Sequence, residues 1–87
     1  DDLEAVMGGT AATMVAQGYS VLFVDLCDGE PTRHGLAGER ATQAQAAAAI
    51  LGVARATLPL RDRLIQDSPE ARLAVAQLIR QHTPRWV

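Results

Sequence analysis

The chain of 87 residues has eight basic and ten acidic side chains, a formal net charge of -2, and a composition that is 48% hydrophobic and 21% charged. That balance excludes a disordered or fibrous chain, and the slight acidity excludes a surface dedicated to nucleic-acid phosphates or anionic lipid. The length allows one small core, removing roughly 60–65% of the unfolded surface from water, and no apolar stretch approaches the ~20 residues of a membrane-spanning helix.

Leu3, Val6, Met7, Thr10, Ala11, Met14 and Val15 recur at helical spacing, so an amphipathic helix is expected over residues 3–17, closed by Gly18 at its C′ position. Gly8 and Gly9 interrupt it, and glycine in a helix interior is about 1 kcal/mol worse than alanine. They predict either close packing against a neighbouring backbone or an irregular first turn. Residues 20–26 form a short, nearly continuous apolar run, as in a parallel strand covered on both faces. Asp28, Gly29, Pro31 and Gly35 then give loop chemistry over residues 27–35, on the edge of the sheet where α/β folds bind ligands.

The alanine-rich run over residues 37–51 predicts a second helix closed by Gly52, followed by a short strand at 53–58 and another loop at 59–67. Ser68 as N-cap, Pro69 at the first helical position and Glu70 near the positive helix end open a third helix. Leu73, Ala76, Leu78 and Ile79 are its expected buried face, Pro84 lies beyond its end, and a further strand is expected to begin at Trp86. Alternation of this kind predicts an α/β fold in one partial domain, 1–87, with a three-layer Rossmann-like parallel sheet. By the same logic a strand is expected ahead of Asp1, because the first helix needs a sheet to cover. Both ends have the look of cuts in a longer chain.

In such a fold Asp1 and Asp2, the loop after the first strand and the Arg61–Asp62–Arg63 loop fall on one sheet edge and can converge on one site. Of two adjacent carboxylates, one can ligate a metal while the other holds a water that the metal acidifies. The plainer alternative is helix capping, for which Asp is an ordinary choice. His34 reads as a solvated loop residue, and His82 as a charge complementing a helix C-terminus. Arg40, badly placed for the dipole of its helix, is expected to hold an anion or carboxylate. Arg61 and Arg63 around Asp62 are either a surface ion-pair cluster or a substrate contact. Cys27, the single cysteine, has no disulfide partner in the chain; it reads as a small packed residue and fits a reducing, cytoplasmic setting.

Asp1-Asp2-Leu3-Glu4 followed by Met7-Gly8-Gly9-Thr10 resembles the start of the LmbE/PIG-L-like N-acetylglucosaminyl deacetylases. Gln17-Gly18-Tyr19, Val24-Asp25-Leu26-Cys27-Asp28-Gly29-Glu30, Glu39-Arg40, Ile50-Leu51-Gly52-Val53 and Leu58-Pro59-Leu60-Arg61-Asp62-Arg63 follow in the family's order and spacing. The resemblance implies a hydrolase using Zn2+ to remove the acetyl group from a small-molecule N-acetylated sugar. It implies Asp1 as the general base and Asp2 as a zinc ligand, with Arg40 near the substrate; Arg61 is the further candidate for substrate contact, from the loop after the second strand. It also implies a histidine ligand two positions before Asp1 and a later His-Pro-Asp-His segment; this sequence contains neither, so the 87 residues alone are expected to be inactive, and without the strand expected ahead of Asp1 they are expected to expose apolar faces and aggregate. Two alternatives stand beside it. One is a Mg2+-dependent phosphoryl-transfer domain, disfavoured by the lack of any lysine or glycine-rich phosphate loop; the other is a non-catalytic homologue of the fold. No nucleic-acid partner is expected, and a homo-oligomer is compatible with the sequence.

Overall fold

The computed structural model describes residues 2–30, 35–36 and 38–87. Three helices and two strands alternate as α1 (Asp2–Ala16), β1 (Leu22–Asp25), α2 (Glu39–Leu51), β2 (Ala54–Thr57) and α3 (Pro69–His82). The strands are parallel, in register Leu22↔Ala54, Phe23↔Arg55, Val24↔Ala56 and Asp25↔Thr57, with α2 as the crossover that a parallel pair requires. The α/β alternation expected from the sequence is therefore present. The described residues supply a two-stranded sheet rather than a full three-layer one, and no helix among them is long and apolar enough to cross a membrane.

Glycine sets where α1 and α2 stop and the strands begin. At the end of α1 the Tyr19 amide donates to the Met14 carbonyl at 3.0 Å and the Gly18 amide to Val15 at 3.0 Å; at the end of α2 the Val53 amide reaches Ala48 at 3.0 Å and Gly52 reaches Ala49 at 3.3 Å. This paired pattern is the Schellman ending, which needs a left-handed residue. Gly52 has φ +74, and a Cβ on it would lie 3.1 Å from a Val15 methyl, so this turn also allows α2 to approach α1 closely. The expected Gly18 and Gly52 stops are both observed. At α3, Ser68 accepts from the Ala71 amide at 3.2 Å and Pro69 opens the helix, again as the sequence indicates.

The core lies between α1, α2 and one face of the sheet, where Ala11, Phe23, Ala48 and Val53 are buried and Leu3, Val15, Val21 and Leu51 pack around them. Side chains alternate across a strand, so Arg55, opposite Phe23, and Asp25, two residues beyond Phe23, also lie on this helix-covered face. Leu22 and Val24, on the other face, are only half-buried.

Several expectations are corrected. No atom comes within 4 Å of a Cβ built on Gly8 or Gly9, so neither glycine serves a close backbone contact. On α1, Val6 and Met7 are exposed although they share the helical repeat with the buried Ala11, because the sheet covers a narrower stripe than the apolar spacing spans. Leu73 and Ile79 of α3 are likewise exposed, at 54% and 40%: α3 buries no residue fully, and its apolar side borders an open groove with Leu26 and Leu60 instead of a closed core. Residues 85–87 form no strand. Trp86 instead packs its ring against Tyr19, 5.6 Å between centroids, with the Arg85 guanidinium 5.1 Å from the Trp86 ring centre. The expected start of the second helix at Ala37 lies outside the described residues, and α2 begins at Glu39.

Candidate functional site

Beyond the last paired residues the two strands remain tied. The Leu58 amide donates to the Asp25 carbonyl at 2.8 Å and Leu60 to Leu26 at 3.3 Å, while the Cys27 thiol donates to Asp62 Oδ1 at 3.6 Å. These links bring both post-strand loops to the same edge as the first turn of α1. An open cavity of about 820 Å3 results, walled by Asp2, Asp28, Gly29, Arg40 and Asp62 among others. Its volume is within the range of small-molecule sites, about 300–1,000 Å3.

Each sequence-predicted site residue has a definite standing. Asp2 is the first residue of α1, exposed at the cavity edge and well placed for the positive helix end. Asp1 and His34 lie outside the described residues. Arg40, in the first turn of α2, lines the cavity and lies across Gly29. A Cβ on Gly29 would be 2.8 Å from Arg40 Nε and 3.1 Å from Cζ, and Gly29 has φ +75. Only glycine therefore lets the guanidinium settle there without strain. Arg61 is exposed and is not part of the cavity wall, which takes Asp62 from that loop. Asp62 and Arg63 form a 3.8 Å pair with the arginine 69% exposed, matching the surface-cluster alternative.

The strongest electrostatic feature of the site is one that the motif analysis passed over. Arg55, in the middle of β2, has a side chain only 2% exposed. Its Nε and Nη2 donate to the two Asp25 oxygens at 2.6 and 2.9 Å, and its Nη1 donates to Glu4 Oε1 in the first turn of α1. Burial works against ionisation of Glu4, but a backbone amide, Arg55 and the terminal ammonium of the 87-residue chain together hold its carboxyl down at about 2. The bond to Asp25, opposed by burial, raises Arg55 in turn. A signal was available: a charged residue between Ala54 and Ala56, on a strand facing helices, must find partners before it can be buried.

The donor chemistry of these residues can be compared with what a zinc ion needs, usually three protein ligands at a catalytic site. Among the described residues no three His, Cys, Asp or Glu side chains stand close enough to hold a metal. Asp25 and Glu4 are engaged by Arg55, and Asp28 accepts from the Glu30 amide at 2.9 Å. His82 sits at the far end of α3. The described residues thus do not by themselves fit a zinc ion, with Asp2 the one carboxylate of the implied set that they contain.

No solved structure gives a significant match to the chain. The family model described as PIG-L: GlcNAc-PI de-N-acetylase matches residues 1–87, the full length. The order of motifs along the sequence and their gathering at one sheet edge agree with that match, and the chain belongs to the PIG-L family.

Proposed function

We propose that the protein is a zinc-dependent deacetylase hydrolysing the acetamide of N-acetylglucosamine-type substrates. Family membership points to deacetylase chemistry, and the observation that carries the finer reading is the shared cavity that puts Asp2 and Arg40 on one sheet edge. On this reading Asp1 takes the proton from the attacking water, as a carboxylate beside an electrophilic centre can, and Asp2 contributes one hard oxygen ligand. Arg40 presents its fork to a polar or anionic part of the substrate, while Arg61, outside the cavity wall, is given no substrate contact. The described residues do not by themselves complete the coordination of a metal. The sugar would occupy the open cavity, whose wall combines carboxylates, the two arginines Arg40 and Arg55, and small alanines such as Ala44 and Ala47.

The second reading is a homologue that keeps the fold without turnover. Metal content and acetate release from N-acetylglucosaminyl compounds, measured on the full-length protein, separate the two. Asp1→Asn should abolish acetate release while leaving bound metal in place. Full activity in Asp1→Asn would remove the base assignment, and absence of both metal and acetate release in the parent would favour the non-catalytic homologue.

A further inference from the structure

Among the described residues, the first turn of α1 meets the sheet through two side chains. Asp2, Ala5 and Val6 are exposed, leaving Leu3 and Glu4 as its half-buried contacts. Leu3 packs on the core edge, and apolar contact resists sliding weakly because it is non-directional. Glu4 meets Arg55, whose other edge is fixed by both oxygens of Asp25 at the end of β1. A planar guanidinium can serve two carboxylates at fixed angles; a lysine ammonium is a point charge and cannot.

We propose that Arg55 is a positioning residue, bridging Asp25 to Glu4 so that the helix end carrying Asp2 is held in register with the carboxyl edge of the sheet. Its role in turnover rests on the deacetylase reading, whereas the bridge itself does not. Arg55 borders the same cavity, but its side chain is only 2% exposed and its guanidinium is taken up by Asp25 and Glu4, so it acts through Glu4 and the backbone that Glu4 shares with Asp2. Small displacements of a reacting group are costly: misplacement by about 1 Å can slow a reaction about a hundredfold.

The test uses Glu4→Ala in the full-length protein, which removes the α1 end of the bridge and leaves the Arg55–Asp25 pair in place. Two measurements are made: acetate release from an N-acetylglucosaminyl compound, and amide exchange at residues 6–9, whose helical acceptors are the carbonyls of the first turn. The expected result is faster exchange there and kcat lowered about a hundredfold with KM within about twofold. Glu4→Gln, which keeps an oxygen toward Nη1, should restore most of both. Should Glu4→Ala fail to fold, Arg55→Lys keeps the charge beside Asp25 but cannot span both acids, and the same two changes are expected. Wild-type exchange at residues 6–9 together with wild-type kcat overturns the proposal, as does a lowered melting temperature with kcat per folded molecule unchanged. If the parent releases no acetate, the deacetylase reading fails, and the exchange measurement alone still decides whether the bridge holds the helix end.

Discussion

Replacing Arg55 by methionine tests how much of the fold depends on its one buried charge cluster. The substitution keeps a chain of similar reach but deletes three charge-assisted bonds, two to Asp25 at 2.6 and 2.9 Å and one to Glu4. It also leaves the Asp25 and Glu4 carboxylates, 25% and 21% exposed, near each other without the cation between them. Removing one member of a buried ion pair typically costs about 3–5 kcal/mol, and partial solvent access of both acids places the expected loss near the lower end, about 3 kcal/mol. Set against the roughly 5–15 kcal/mol that holds a folded domain together, that is a large fraction for the full-length protein in which the measurement is made. Arg72 supplies the control. It bonds Asp67 with nearly the same geometry, 2.6 and 2.8 Å, but both side chains are more than two-thirds exposed. Urea unfolding followed by circular dichroism at pH 7 should show a large drop for Arg55→Met and no resolvable change for Arg72→Met. Adding Glu4→Gln to Arg55→Met should recover part of the loss by removing one of the stranded charges. A drop below about 1 kcal/mol for Arg55→Met, within the range of exposed pairs, or equal drops for the two arginines, would refute the claim that burial sets the strength of this cluster.

Glu4 should also make stability depend on acid. Its folded value of about 2 lies below the ordinary 4.5, so its contribution is complete above pH 4.5 and is lost as the pH falls toward 2. Urea midpoints across that window should fall less in Glu4→Gln than in wild type. Gly29→Ala should lower stability by about 1–2 kcal/mol through its left-handed backbone and push Arg40 away from the cavity wall; a raised KM with little change in kcat is expected, and an unchanged KM would separate Arg40 from substrate binding. The 87-residue chain by itself should self-associate through exposed apolar side chains such as Val6, Leu36, Ile50 and Leu73; a monomer in sedimentation that melts cooperatively would contradict this.

The order of elements was legible in the sequence because it depends on local chemistry. Gly18 and Gly52 mark helix ends that only a left-handed residue completes, and Ser68-Pro69 marks a start whose cap bond is made three residues away. The gathering of Asp2, the Asp28–Gly29 turn and the loop carrying Asp62 followed from one topological rule, that loops after parallel strands share an edge. The motif order was enough to indicate the PIG-L family, to which the chain belongs. Tertiary structure alone decided which apolar residues are covered. Periodicity gave Val6, Met7, Leu73 and Ile79 an inward face, yet a helix buries only the stripe that a neighbour reaches, and neighbours come from distant segments. It also decided which loop side chain enters the cavity wall, Asp62 in place of Arg61. The union of Glu4, Asp25 and Arg55 has the same origin. Its members lie 30 and 51 positions apart in the chain and become one unit only when two strands pair in register and a helix crosses them.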